Sequence, residues 1–235
     1  SRLDPVLKEL QAEHPNMNFG LYPDLGKVSA HITLSSDNQT QLQPQFEQIK
    51  AHLTDNFKEH LYDIESGNLE DYVAKTLITN DLTLSVTQLI PTSHLVELIH
   101  RTQAAQDFLA GCLTLNHADL SQLSLTNNEQ AQMVQDPTAF MQTLFHKAKD
   151  CFDADFVIIT SAIQDQSTQA DSDENKQDAV YIAVGHKETS PNIHEVLAFG
   201  NHETQAKRVA HFALSELIKL LKAQGISSGD TDGTH

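Results

Sequence analysis

Hydroxyl side chains crowd one expected strand-to-helix turn of this 235-residue chain: Ser85 and Thr87 before it, Thr92 and Ser93 within it. A hydroxyl of that kind becomes a nucleophile when a base takes its proton, and His94 or His117 stands close enough in sequence to be that base. The competing expectation, and the preferred one, is that Thr92 or Ser93 caps the helix that follows, because Ser and Thr before an apolar-periodic stretch are the usual helix-start signal.

Other constellations are poorer. Thirteen histidines contain no HExxH or other recognisable ligand spacing, so no metal site is expected. His186, His194 and His202 lie near expected element ends and could converge, yet Glu195 and Glu203 beside them read equally well as solvated neighbours. The acidic run Asp171-Ser172-Asp173-Glu174 lacks the central glycine and the spaced terminal glutamate of a calcium loop. No Gly-x-x-Gly loop is present to clamp an RNA backbone. With 32 acidic against 15 basic residues the net charge is −17, so phosphate-backbone binding would be self-repelling and no nucleic-acid partner is expected.

Cys112 and Cys151 belong to no paired spacing and read as free thiols in a reducing compartment. No apolar run approaches the roughly 20 residues that cross a bilayer, so no membrane association is expected and the cytoplasm is the expected location. The chain begins Ser1-Arg2, which leaves room for an N-terminal domain upstream.

The elements that would position these groups follow from periodicity. Leu3, Val6, Leu7 and Leu10 mark a short helix up to His14. A strand Met17 to Tyr22, a turn Pro23-Asp24-Leu25-Gly26 and the alternation of Val28, Ala30, Ile32 and Leu34 make a hairpin. Asp37 is expected to cap a helix striped by Leu42, Phe46, Ile49, Leu53 and Phe57, and a brief strand from His60 to Ile64 closes a small α+β domain over residues 1–66. Ser66-Gly67-Asn68 marks the boundary. Beyond it come a helix from Leu69, a strand Thr83 to Thr87, a helix Ser93 to His100, a strand Cys112 to Leu115, a helix Pro137 to Phe152 and a strand over Phe156 to Ile159. Strands Ala179 to Val184 and His194 to Phe199 precede a long last helix that stops at Gly225. Alternating strands and helices predict a three-layer α/β/α sandwich over residues 67–225 with a partly antiparallel edge. Gln164 to Asp178 is expected to be a polar loop and residues 226–235 a disordered tail.

Three segments carry a resemblance. They are Leu69 to Thr87, Phe108-Leu109-Ala110-Gly111-Cys112-Leu113-Thr114-Leu115-Asn116, and Phe199-Gly200-Asn201-His202. In order and spacing the chain resembles the CinA family of competence- and damage-inducible proteins, specifically a KH-like middle domain followed by the C-terminal amidase domain, over nearly its whole length. The resemblance implies an α/β fold and, in active members, hydrolysis of nicotinamide mononucleotide to nicotinic acid mononucleotide and ammonia by a serine at a strand-to-helix turn. Where the family writes Ala-Glu-Ser-Cys-Thr-Gly-Gly, this chain has Thr87-Gln88-Leu89-Ile90-Pro91-Thr92-Ser93. The nucleophile position falls on Leu89. The family tyrosine and the lysine five residues later fall on Leu115 and Leu120, in a register set by Leu120-Ser121-Gln122-Leu123-Ser124-Leu125. Thr-Gly-Ile-Ala-Gly-Pro becomes Thr160-Ser161-Ala162-Ile163-Gln164-Asp165, and Gly-Asp-Arg becomes Gly200-Asn201-His202.

Leucine offers no lone pair, proton or charge, so the resemblance implies a fold without its family chemistry. The expectation is a CinA-like, non-catalytic module with a structural, regulatory or nucleotide-binding role. The alternative is an active nicotinamide mononucleotide amidohydrolase working through other residues. Residual ligand contacts would come from Thr87, Gln88, Thr92, Ser93, Asn116, Thr160, Ser161 and His202, with a nucleotide or other small molecule as partner. No cofactor is indicated, and the last helix is compatible with a homodimer.

Overall fold

A computed structural model describes residues 3–24, 27–57, 61, 68–89, 94–116, 120, 123–163, 178–198 and 200–228. The chain divides into two compact units, Ser1–Gly67 and Asn68–His235.

In the smaller unit, helix α1 (Leu3–Glu13) precedes the antiparallel strands β1 (Met17–Asp24) and β2 (Lys27–Leu34), and helix α2 (Gln39–Phe57) follows. The strands run further than the sequence suggests. Pro23 pairs with Val28 and Asp24 with Lys27, so half of the expected four-residue turn belongs to the ladder. Period-two alternation puts Phe19, Leu21, Ala30, Ile32 and Leu34 on the face that packs with Leu7, Leu10, Met17 and Ile49. Asn38, rather than the expected Asp37, caps α2: its Oδ1 accepts from the Thr40 backbone N–H at 3.2 Å. The strand expected over His60 to Ile64 lies outside the described residues apart from Leu61.

The larger unit opens with α3 (Leu69–Thr79) and β3 (Leu84–Leu89). It continues through α4 (His94–Arg101), the short α5 (Ala105–Phe108), β4 (Leu109–Thr114), α6 (Asn127–Gln135) and α7 (Pro137–Phe152). Strand β5 (Phe156–Ile163), β6 (Asp178–His186), β7 (Asn192–Ala198) and helix α8 (His202–Ala223) complete it. The five strands lie in the order β4-β3-β5-β6-β7. Strand β3 pairs in parallel with both β4 and β5, while β5–β6 and β6–β7 are antiparallel. This is the expected α/β sheet with an antiparallel edge, covered by α7 on one face and by α8 on the other.

Two features of this sheet position a site. All six residues of β3 are buried, as expected for a central strand covered on both faces. The chain leaves β3 for β4 on one side and then crosses to β5 on the other, so the strand order reverses between β3 and β5. In open α/β sheets ligands bind at the carboxyl ends of the strands at such a reversal.

Helix α6 is absent from the sequence expectations although its start signal is present. Thr126 and Glu129 form a reciprocal capping box, in which Thr126 Oγ1 accepts from the Glu129 N–H and Glu129 Oε2 accepts from the Thr126 N–H at 2.7 Å. None of its residues is buried, so it lacks the apolar stripe by which helices are read.

The amino ends of the strands are fastened by Asp155. Its Oδ2 accepts from the backbone N–H and the hydroxyl of Thr83, both at 2.9 Å, and its Oδ1 meets Lys187 Nζ at 2.9 Å. Burial alone would raise the pKa of this carboxyl, but the hydrogen bonds from Lys187 and Thr83 outweigh it and hold the value below the ordinary aspartate range. The stabilisation is therefore complete above the unfolded-state pKa of about 4 and disappears as pH falls through the lower folded-state value. Asp155→Ala is expected to cost about 2 kcal/mol near neutral pH. The difference from wild type should shrink below about pH 4, which urea denaturation at a series of pH values would check.

Candidate functional site

The carboxyl ends of β3, β4 and β5, with the start of α8, bring the resemblance-derived positions into one region. The structure sorts them by face. Leu89 is 1% exposed, Leu115 6% and Leu120 2%, and all three enter a single apolar cluster with Phe140, Met141, Leu144, Phe145 and Ala148 of α7. Val157, Ile159 and Ala183 contribute the sheet's share of that cluster. Leu115 is held there by its backbone N–H, which donates to the Gln88 carbonyl at 2.8 Å. The three leucines thus fill the layer between sheet and α7.

Alternation along the strands and their register fix where the polar candidates point. Thr87 is partnered with Ile159 and Leu89 with Ser161, so Thr87 and Ser161 belong to the α7 face. Gln88 is partnered with Thr160, and both belong to the opposite face, beneath the layer that contains α8. Thr87, Gln88, Thr160, Ser161 and Ser85 are each fully buried. Their hydroxyls, and both polar atoms of the Gln88 amide, make no hydrogen bond. Six such atoms on two neighbouring strands is a high density, since nearly all buried polar atoms in native proteins are paired. The sequence-based set of contacts is therefore divided by the sheet into Thr87 with Ser161 and Gln88 with Thr160.

The remaining candidates stand apart. Asn116 is exposed just past β4, and His202 is exposed as the first residue of α8. Thr92, Ser93 and His117, of which capping and base roles are expected, lie outside the described residues. The other base candidate, His94, begins α4 and places Nδ1 3.4 Å from Glu97 Oε2, paired with a carboxylate rather than a hydroxyl. The three histidines that could have converged do not. His186 ends β6 beside Phe156, at the amino end of β5, while His202 lies at the carboxyl end. His194 lies between, with Nε2 3.1 Å from Glu216 Oε2 of α8. Glu195 contacts Tyr181, whose phenol is pushed up by burial and by that carboxylate. Among the described residues no group of three or more His, Cys, Asp or Glu is placed to hold a metal ion, and no helix is long and apolar enough to cross a membrane. Both cysteines are free and exposed.

The start of α8 is shaped by Gly200 and Asn201. Gly200 has φ +98°, in the region that favours glycine, and a Cβ there would meet the Thr204 side chain at 3.0 Å. Asn201 Oδ1 accepts from the Thr204 N–H at 2.9 Å, a conventional N-cap. Glu203 sits in the first turn, bonded to Lys207 at 2.6 Å, and that hydrogen bond, with the lysine charge and a smaller influence of His94, holds its pKa down. The partial positive charge of this helix end is therefore already answered by a carboxylate of the chain.

No protein-family model matches the chain, and no curated protein matches it. Solved structures do. A CinA superfamily protein from Enterobacter cloacae aligns at TM-score 0.56 and 18% identity, covering 69% of this chain and 97% of that one. A competence or damage-inducible protein from Enterobacter asburiae aligns at TM-score 0.56 and 16% identity, over 68% and 99%. A CinA superfamily protein from Escherichia coli gives 0.55 and 17%, over 71% and 99%. The chain therefore shares the α/β fold of CinA superfamily proteins.

Proposed function

We propose that the protein is a CinA-like module whose amidase-like domain carries no hydrolytic activity and serves a binding or regulatory role. The smaller unit is then the counterpart of the family's KH-like domain, working in the cytoplasm. The observation that supports this reading is the burial of Leu89, Leu115 and Leu120 in one apolar cluster with α7. A side chain that completes a core offers neither nucleophile nor proton, and it excludes the water that amide hydrolysis consumes.

A binding role is supported by the same edge of the sheet. It keeps buried polar side chains at the strand-order reversal, where α/β folds hold ligands. Incubation with nicotinamide mononucleotide beside a serine-bearing CinA protein tests the reading by ammonia release. The serine-bearing protein is expected to release ammonia and this one to stay at the buffer rate. Steady release by this chain would overturn the non-catalytic reading in favour of an amidohydrolase built on other residues.

A further inference from the structure

Helix α6 lies against the larger unit with almost no apolar anchorage. None of its nine residues is buried. Among the described residues Met133 is its one contribution to the apolar cluster that contains Leu115, Leu120, Leu123 and Leu125, and its other large apolar side chain, Val134, is 54% exposed. A helix this short is marginal in water by itself, so it stays wound only while its cap and its contacts hold. The cap is the reciprocal pair Thr126 and Glu129, joined by the Gln130 side-chain amide, which donates to the Leu125 carbonyl at 3.1 Å. The ties to α7 are polar: Lys147 Nζ donates to the Ser124 carbonyl at 3.3 Å and stands 4.0 Å from Glu129 Oε1.

The carboxyl end of α6 is built as a hinge. Asp136 alone separates α6 from α7: its backbone N–H donates to the Gln132 carbonyl at 2.8 Å, while its side chain accepts from the Ala139 N–H at 3.0 Å. Pro137 keeps Asp136 out of the helical region, at φ −146° and ψ 81°, so the two helices cannot merge into one. The cap of α7 therefore needs nothing from α6. With Phe140, Met141, Leu144, Phe145 and Ala148 buried, α7 keeps its place when α6 leaves. We propose that α6 is a strap that opens as a unit about Asp136, at a free energy well below that of global unfolding, and bares the part of the apolar cluster that Met133 covers. Segments short of buried contacts are the ones from which moving lids are drawn. The closed strap keeps water from that part of the layer between sheet and α7, and the open one admits it.

Hydrogen exchange of the full chain, followed by mass spectrometry of peptides from α6 and α7 at increasing urea below the unfolding transition, tests this. Released from α7, so short a helix unwinds and its amides exchange. They are expected to be protected, yet to exchange roughly a hundredfold or more faster than those of α7 and with little dependence on urea, because local opening exposes little surface. Two mild substitutions separate local from global opening. Ile158→Val trims a residue buried in β5 on the face away from α7 and is carried equally by the closed and open forms. It should speed α7 exchange about fivefold and leave α6 exchange unchanged. Thr126→Ala, at an exposed position, removes half of the capping box and should speed α6 exchange about fivefold. Protection lost altogether from α6, exchange of α6 and α7 at one rate with one urea slope, acceleration of α6 by Ile158→Val, or an α6 indifferent to Thr126→Ala would each overturn the proposal.

Discussion

Leu89→Ser, which places a hydroxyl where the resemblance to CinA proteins assigns the nucleophile, is expected to yield a weakened protein and no amidase. Leu89 is the last residue of β3 and 1% exposed, between sheet and α7. Truncating a buried leucine costs about 2–5 kcal/mol, and a serine hydroxyl left there without a partner adds about 1–3 kcal/mol. A total near 4 kcal/mol would lower Tm by roughly 10 °C for a domain of this size. The neighbours explain why no activity should follow. The register partner Ser161 has a hydroxyl with no hydrogen bond, and among the described residues the cluster around Leu89 holds no histidine, carboxylate or lysine to take the serine proton. Thermal denaturation and ammonia release from nicotinamide mononucleotide, measured on one preparation, check both halves.

Leu120→Lys should be at least as damaging. At 2% exposure, among Leu115, Leu123, Leu125 and the α7 side chains, an ammonium would lose most of its hydration. Among the described residues no acidic side chain belongs to the cluster to replace that hydration. The expected cost is about 4 kcal/mol or more, relieved as pH rises toward the lysine's own pKa, which desolvation lowers. Stability should thus recover in alkaline solution for this variant and not for Leu120→Met, whose neutral side chain has similar reach. Urea denaturation of the two variants at neutral and alkaline pH makes the comparison. Both positions are integrated into the core, so on the proposed non-catalytic reading each substitution costs stability without supplying chemistry.

Much of the fold was legible because its elements announce themselves locally. The bounds of α7, Pro137 to Phe152, follow from a proline at its first position and an apolar stripe. The alternation of strand and helix identified the sandwich. Strand ends were less legible. Strand β3 runs to Leu89 rather than stopping at Thr87, because a strand covered on both faces loses the period-two contrast that would mark its end. The capping box of α6 was readable at Thr126 and Glu129, but a helix with no buried face leaves only that one signal.

The candidate residues could be named in the sequence, but their arrangement could not. Leu89, Leu115 and Leu120 could be named from the resemblance, and the structure adds that they occupy one cluster. Thr87, Gln88, Thr160 and Ser161 were named as one group, whereas the sheet separates them into two. Period two already assigns Thr87 and Gln88 to opposite faces. Pairing Gln88 with Thr160 needs a register between strands 72 positions apart, which nothing local encodes. The convergence considered for His186, His194 and His202 failed for the same reason: sequence placed them near element ends, and only the antiparallel pairing of β6 with β5 and β7 shows that those ends are different ones.

Whether this edge of the sheet hydrolyses the amide is decided under single-turnover conditions. Protein in excess over nicotinamide mononucleotide is incubated for hours, and nicotinic acid mononucleotide is quantified by mass. Because every substrate molecule then has access to protein, even a very slow site would leave product. No product above the buffer control is expected; conversion of a substantial fraction of the substrate would establish a hydrolytic site instead.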